Sequence, residues 1–369
     1  MSTVLTTPLT EIHTALGARM AEFAGYLMPI SYAGILEEHR CVREGVGVFD
    51  VSHMGEFIVR GKEALDLLQY VTVNDVSKLG IGDAQYSCLP NDKGGIVDDL
   101  LVYRLPENHC SEGERAYMLV VNASNIKKDW DWINQHNRFD TKLIDISAQT
   151  GLLAVQGPQA AEAMQQLTEV DLASMKYYTF QKGMFAGVDN VLISATGYTG
   201  SGGFELYVPA AHLPAVWEAV LAAGAGHGIQ PIGLGARDTL RLEKGFALYG
   251  NDIDDTTSSL EAGLGWITKL GKGDFIDRDY LLQQKENGVP RKLVGFTVDA
   301  RRAPRHGYVI EDTDGNAIGQ VTSGTQAPTA GVPIGMGYVP PAFAKLGTTL
   351  HIVAGKKRLS ATVVRRPFV

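Results

Sequence analysis

The chain has 369 residues, of which 45% are hydrophobic and 20% charged, and a formal net charge of −8. That length exceeds one small core and predicts two or three domains. The composition excludes intrinsic disorder, and the acidic balance argues against extended nucleic-acid contact. Three scattered cysteines, Cys41, Cys88 and Cys110, form no Cys-x-x-Cys pair, and nine histidines show no metal-ligand spacing. Neither a disulfide framework nor a bound metal is expected. The N-terminal stretch lacks a basic segment followed by an apolar run, and no segment reaches the length of a membrane span. A soluble cytoplasmic protein is the expectation.

Thr7, Pro8, Leu9 and Glu11 predict a short helix capped by Thr7, with Pro8 at its first position. Residues 19–23 read as extended. Residues 34–44 read as a polar helix that turns Ile35, Leu36, Val42 and His39 inward. Phe57 and Val59 alternate with Ile58 and Arg60, as in a half-buried strand. His53 and Met54 lie just before that strand. His53 reads either as a hydrogen-bonded structural histidine or as the wall of a pocket, and Met54 is more often core filler than a ligand contact. Residues 62–71 form an amphipathic helix.

The stretch 85–103 reads as strand, turn, strand. Pro90, Asn91, Asp92, Gly94 and Gly95 supply turn chemistry. Ile96 to Tyr103 is nearly all apolar, as in a buried strand, yet holds Asp98 and Asp99. Alternation points the two acids to opposite faces. A buried carboxylate finds a partner or shifts its pKa, so this strand is a candidate site. Residues 117–121 form a strand, and a helix runs from Asn122 to His136. Asn122 is either a turn residue or a site residue, and Ser124 or Asn125 caps the helix. Residues 151–156 are a strand, Pro158 opens a helix, and 175–185 pair with 191–195.

Thr196-Gly197-Tyr198-Thr199-Gly200 begins a glycine-rich connection into a strand. It lacks the Gly-Lys-Ser/Thr of a phosphate loop. Glu205, between Phe204 and Leu206, faces either a pocket or solvent. Residues 213–223 and 232–243 are helical. Arg237 and Arg241 share a face of the second, either solvated or turned inward toward a carboxylate. Past residue 277 short strands and tight turns predict a separate all-β domain, a barrel or jelly roll. Together Tyr86, Asp99, Asn122, Tyr198, Glu205 and Arg237 suit a flat, nitrogen-rich heterocycle. A glutamate can accept two hydrogen bonds from an amino-pyrimidine edge while tyrosines wall the ring.

Several motifs resemble the T-protein family of the glycine cleavage system, the aminomethyltransferases. They are Phe49-Asp50-Val51-Ser52-His53-Met54, Gly94-Gly95-Ile96-Val97-Asp98-Asp99-Leu100, Gln156-Gly157-Pro158, Thr196-Gly197-Tyr198-Thr199-Gly200 and Gly203-Phe204-Glu205. The run Gly233 to Glu243, Leu248-Tyr249-Gly250 and Thr322-Ser323-Gly324 complete the set. The resemblance spans nearly the whole chain. It implies an α+β fold of three domains in a cloverleaf around a central folate hole, with the C-terminal domain all-β. Within residues 1–276 it implies two interleaved subdomains, roughly 1–51 with 147–245 and 52–146 with 246–276, followed by the barrel at 277–369. The implied reaction passes the one-carbon unit of aminomethyl-lipoyl H-protein to tetrahydrofolate. It yields 5,10-methylenetetrahydrofolate, ammonia and dihydrolipoyl H-protein. By motif, Asp99 is the implied catalytic carboxylate, with Asp98 tied up structurally. Met54, Tyr86, Asn122, Tyr178, Tyr198, Glu205 and Arg237 are the implied folate-site residues. Arg365 or Arg366 could reach a folate glutamate tail.

The implied partners are tetrahydrofolate and lipoylated H-protein, and the chain is expected to be a monomer or weak dimer. Two other readings stand beside this one. A folate-dependent demethylase would act on a small free donor. A non-enzymatic folate-binding factor for iron–sulfur maturation carries a cysteine after the arginine helix, whereas Lys244-Gly245-Phe246-Ala247-Leu248-Tyr249-Gly250 has none.

Overall fold

The computed structural model describes residues 4–108 and 110–369. The chain forms two compact units. The first comprises Met1–Leu68, Val76–Tyr86 and Leu100–Asp238, and the second Gln69–Asp75, Ser87–Asp99 and Thr239–Val369. No helix among the described residues is long and apolar enough to cross a membrane.

In the first unit a six-stranded sheet runs in the order Phe180–Phe185, Val188–Ser194, Gly203–Pro209, Thr150–Gln156, Gly47–Asp50, Gln230–Pro231. Its neighbours are antiparallel except the last pair. The period of two decides what each face does. Phe204, Leu206 and Val208 join Leu153, Val155 and Ile193 in a core closed by Val216, Trp217 and Val220 of the Leu213–Ala223 helix. Glu205 and Tyr207 therefore point to the other face.

A five-stranded sheet runs Ala84–Pro90, Ile96–Arg104, Arg115–Val121, Gly55–Gly61, Thr141–Asp145. Phe57 and Val59 are fully buried, as their alternation predicts. The first two strands each carry residues of both units, and the turn between them belongs to the second.

The second unit contains a closed barrel in the order Lys292–Val298, Pro333–Val339, Ala317–Gln326, Val309–Glu311, Thr349–Ala354, Lys357–Val364. Pairing of the last strand with the first closes it and removes the free edges. Phe296, Ile310, Val321, Leu350, Ile352 and Val363 fill its core.

A buried carboxylate organises this unit. Asp252 is 0% exposed. Its Oδ2 accepts from Arg241 Nη1 at 2.7 Å, Ser323 Oγ at 2.8 Å and Leu248 N at 3.0 Å. Thr322 Oγ1 donates to its Oδ1, and Tyr338 OH donates to its carbonyl at 2.7 Å. One side chain thus joins the arginine helix, the following loop and a barrel strand.

Several local expectations are corrected. The first helix is Thr10–Ala15, and no side chain caps it. Thr7 donates its hydroxyl to Asp50 Oδ2 at 2.6 Å instead. In the Ile35–Glu44 helix, Ile35 and Leu36 are 37% and 50% exposed, while Glu38, His39 and Val42 are buried. The inward face is polar because Glu38 accepts the N–H groups of Tyr32, Gly34 and Gly233 at 2.6, 2.9 and 2.8 Å. Asn125 holds the N-cap position of the Ile126–His136 helix without a side-chain cap. The strand expected from residue 175 begins only at Phe180, because Tyr178 takes a left-handed conformation at φ 64°. A helix, Arg278–Asn287, precedes the barrel where only a boundary was expected.

Removing one partner of a buried ion pair strands the other charge. Asp252→Ala is expected to lower stability by about 3–5 kcal/mol. Urea unfolding measures this directly, and a loss below about 1 kcal/mol would mean Arg241 finds a substitute partner.

Candidate active site

In the first unit the site grows from the polar face of the Gly203–Pro209 strand. Glu205 pairs in register with Ser194. It is 7% exposed, so it faces neither open solvent nor the apolar core. Thr196 Oγ1 donates to its Oε2 at 2.5 Å. The Thr196 oxygen lies 2.9 Å from Ser194 Oγ and 3.2 Å from Tyr103 OH. Tyr103 OH lies 3.0 Å from Tyr207 OH and accepts from Ser194 Oγ at 3.4 Å. Burial pushes the Glu205 carboxyl above its ordinary value, and the Thr196 hydrogen bond and the Arg237 charge oppose that rise. Burial, with the Glu205 charge second, also raises Tyr103, which stays a neutral hydroxyl.

The glycine-rich connection packs tightly against this face. A Cβ on Gly197 would lie 1.9 Å from Gln156 Oε1, so only glycine fits there. Gln156 donates through Nε2 to the carbonyls of Thr196 and Phe204 at 3.1 and 3.3 Å, and its Oε1 accepts from Thr199 Oγ1 at 2.8 Å. The following Tyr198 stacks under the Arg237 guanidinium, 4.7 Å from ring centroid to Cζ. Tyr178 takes its unusual backbone while its N–H donates to Ala195 O and its carbonyl accepts from Ala84 N, at 3.0 and 2.8 Å. Burial raises its hydroxyl strongly, and the charge of Glu205 contributes.

These contacts bring Tyr178, Tyr198, Glu205 and Arg237 into one cluster. Met54 and Asn122 sit together at the end of paired strands, because Gly55 pairs with Val121. Both are half-buried, as is Tyr86 on the Ala84–Pro90 strand. His53 is 2% exposed and packs edge-on against Phe23 and Tyr26 at 5.6 and 6.3 Å. Its Nδ1 has no hydrogen-bond partner. Its ring is packed among aromatic side chains, which leaves the structural and pocket-wall readings both open. Burial and then the Arg237 charge lower its pKa to about 4.

The acid-bearing start of the Ile96–Arg104 strand, through Asp99, belongs to the second unit. Asp98 is fully buried and Asp99 half-buried, so alternation separates the two as expected. The turn before them is clamped. Asn91 Oδ1 accepts the N–H groups of Lys93 and Gly95 at 2.8 Å each, and Asn91 Nδ2 donates to Asp255 O at 2.9 Å. A Cβ on Gly95 would lie 1.8 Å from that same carbonyl. Ile96 donates its N–H to Asp254 O at 2.9 Å, and Tyr249 OH donates to Ile96 O at 2.9 Å. Burial lifts Asp277, which accepts from the Gly94 N–H, to about 6. Cys88, fully buried, is held well above the ordinary thiol value by burial and then by the charges of Asp99 and Asp98. It is kept a thiol and is no nucleophile.

Arg241 faces inward and pairs with Asp252, which settles the open reading of that helix face. Arg366 is engaged by its own unit, donating to Leu293 O at 3.1 Å and contacting Met336 Sδ at 3.5 Å, while Arg365 is exposed. The sequence reading missed the hydroxyl network behind Glu205. The signal was present: Ser194 and Thr196 share a face two residues apart, as do Glu205 and Tyr207. It also missed Glu56, which is 1% exposed with neither carboxyl oxygen hydrogen-bonded. Alternation groups Glu56 with Ile58 and Arg60 on the wetter face of its strand, and nothing local says that this end is covered.

The fold and these clusters define an α+β protein with a closed C-terminal barrel and a buried carboxylate set among tyrosines and an arginine. Residues 9–272 match the family model described as the GCVT N-terminal domain, and residues 291–369 match the glycine cleavage T-protein C-terminal barrel domain. An aminomethyltransferase of Flavobacterium psychrophilum is 57% identical over 362 residues, covering 98% of both chains. One of Bacteroides thetaiotaomicron is 57% identical over 364 residues, covering 98% of this chain and 99% of the relative. The crystal structure of glycine cleavage system aminomethyltransferase T from Bartonella henselae superimposes with a TM-score of 0.91 at 35% identity, covering 99% of this chain and 98% of that one. The chain belongs to the glycine cleavage T-protein family.

Glu56 yields a prediction. Burial and then the Asp145 charge hold its carboxyl well above the ordinary value of 4.5. An acid whose folded pKa is raised contributes stability below its unfolded pKa and loses it as pH rises through the folded one. Glu56→Gln removes that loss. The variant is expected to gain about 1–3 kcal/mol over wild type at high pH and less near pH 4. Urea unfolding across that range tests it, and a pH-independent difference would contradict the burial argument.

Proposed function

We infer that this chain is the aminomethyltransferase of a glycine cleavage system. It takes the one-carbon unit of aminomethyl-lipoyl H-protein and passes it to tetrahydrofolate. The products are 5,10-methylenetetrahydrofolate, ammonia and dihydrolipoyl H-protein. The observation that carries this reading is Glu205. It is buried on the polar face of its strand, Oε2 is held from behind by Thr196, and Arg237 supplies a nearby positive charge. A carboxylate so placed suits the two N–H donors of an amino-pyrimidine edge. Tyr178 and Tyr198 supply ring faces beside it, with Tyr86, Asn122 and Met54 as further folate contacts. Folate acts as acceptor substrate, and the lipoyl group arrives on its own protein. The reading places the protein in the cytoplasm, as a monomer or weak dimer.

Asp99 is the proposed catalytic carboxylate. As a pterin nitrogen bonds to the aminomethyl carbon, positive charge develops at that nitrogen, the carbon–amine bond breaks and ammonia departs with a proton. A fixed carboxylate stabilises that charge and accepts the nitrogen's proton. The second folate nitrogen then displaces the lipoyl sulfur, which leaves as the thiol. Asp99 is the accessible acid of its pair, whereas Asp98 is sealed. The clamped turn denies the strand freedom to move the carboxylate away.

Asp99→Asn is expected to melt like wild type and to lower kcat by about 10²–10⁴-fold, the usual range for removing a general base. Ammonia release from aminomethylated H-protein, with and without tetrahydrofolate, is the assay. Near-wild-type turnover by the variant would remove Asp99 from the mechanism. Turnover of a small free methylated donor without H-protein would point instead to a demethylase.

A further inference from the structure

Glu205 must meet two opposing demands. It has to lie in a nearly dry site, yet remain ionised and correctly turned if it is to accept two hydrogen bonds. Burial alone favours the neutral acid. A neutral carboxyl would offer a hydrogen where a donor-rich ring edge needs an acceptor. Something behind the carboxylate has to resolve this.

The structure shows what stands there. Thr196 has a single hydroxyl hydrogen, and it goes to Glu205 Oε2 at 2.5 Å. The Thr196 oxygen then accepts from Tyr103 OH at 3.2 Å, and Tyr103 in turn accepts from Ser194 Oγ at 3.4 Å, with Ser194 Oγ packed 2.9 Å from Thr196 Oγ1. Tyr207 OH backs Tyr103 at 3.0 Å. The network has fewer hydrogens than contacts, and an ionised Glu205 contributes none. Its hydrogens are therefore polarised toward the carboxylate, which strengthens the terminal donor. Ser194 and Thr196 are 0% and 3% exposed, and Tyr103 and Tyr207 are 0% and 5%, so water does not compete for these groups. Among the described residues only Oε2 is engaged, leaving Oε1 and the second lone pair of Oε2 for a ligand.

We propose that Thr196, backed by Ser194, Tyr103 and Tyr207, is the positioning residue for Glu205, fixing its rotamer and its acceptor state for the amino-pyrimidine edge of the folate. The proposal rests on the folate reading of Glu205 given above. The titratable groups that act with Glu205 are Arg237 from the helix, Tyr103 and Tyr207 from neighbouring strands, and Tyr177 and Tyr178 from the segment before residue 180. Burial raises the four tyrosines, so all of them are neutral at physiological pH and the one opposite charge is Arg237. The switchable contribution to Glu205 is then the Thr196 hydroxyl.

The test uses the full chain with aminomethylated H-protein and tetrahydrofolate. Thr196→Val keeps the shape and deletes the donor. Its KM for tetrahydrofolate is expected to rise about tenfold at neutral pH, the value of one hydrogen bond to a charged group. Its kcat at saturating folate should stay within about twofold, since the chemical step is Asp99's. The pH below which folate KM worsens should move upward, because Glu205 loses a hydrogen bond that favours its charged form. Thr196→Ser restores the donor and should restore both KM and the pH profile, which a merely structural role would not require. Tyr103→Phe should shift KM the same way by a smaller factor, and it carries the test if Thr196→Val does not fold. Unchanged KM and pH profile in Thr196→Val, with KM raised in Glu205→Gln, would overturn the positioning role while leaving the folate reading intact. Unchanged KM in Glu205→Gln would overturn both.

Discussion

The second unit depends on the burial of Asp252. An aspartate with no solvent exposure persists only if its oxygens are fully supplied with donors. Arg241, Thr322, Ser323 and the Leu248 N–H provide them. The consequence is geometric. The loop from Leu248 onward is pinned to both the arginine helix and the barrel. That pinned loop presents the carbonyls of Asp254 and Asp255 and the hydroxyl of Tyr249 to the turn at Asn91–Gly95. The turn holds the strand that carries Asp99. The role proposed for Asp99 requires a carboxylate held to within a fraction of an ångström. Here the fixing runs from a buried ion pair, through a loop, to a backbone approach so close that Gly95 cannot bear a side chain.

The first unit solves a different problem. Asp50 is fully buried and accepts from Thr7 and from the N–H of Ser52, with His13 Nε2 2.9 Å away. Burial alone would raise its pKa, but the hydrogen bond and charge of His13 hold it below the ordinary value. Glu205 in the same unit has one hydroxyl and a nearby arginine charge, and its pKa ends above the ordinary value. The difference follows from donor count. A saturated carboxylate cannot take a ligand, and an unsaturated one cannot stay ionised without help.

Sequence patterning made the barrel legible, since six short alternating strands with turn residues admit few closures. It also separated Asp98 from Asp99 and put Glu205 opposite Phe204 and Leu206, because those are consequences of period two. It failed where a distant residue captured a local signal. Thr7 looked like a cap until Asp50 claimed its hydroxyl. Ile35 and Leu36 looked like an inward face until Glu38 was needed by three backbone N–H groups, one of them nearly two hundred positions away. Arg241 could be read as solvated or buried because its partner, Asp252, lies in a loop with no pattern of its own. The proposed site residues were named mainly through motif resemblance. Their contacts join strands, loops and helices that periodicity cannot bring together.

The buried acids form a series that bears on function. Asp252, Glu38 and Asp50 are each met by at least three donors and serve the fold. Glu205 is met by one. Among the described residues Glu56 is met by none, and burial holds its carboxyl well above the ordinary value. The availability of a carboxylate for ligand binding tracks the donors the fold withholds from it, within the limit that too few donors cost it its charge. Glu205 sits between those extremes, with one oxygen held and one open. That intermediate state needs a donor that cannot be displaced by water, and a buried threonine behind a strand supplies it more reliably than an exposed lysine or arginine would. The same logic explains why the supporting groups are hydroxyls. In the proposed folate site they stabilise the charge without adding a second cation to compete with that ligand for the carboxylate.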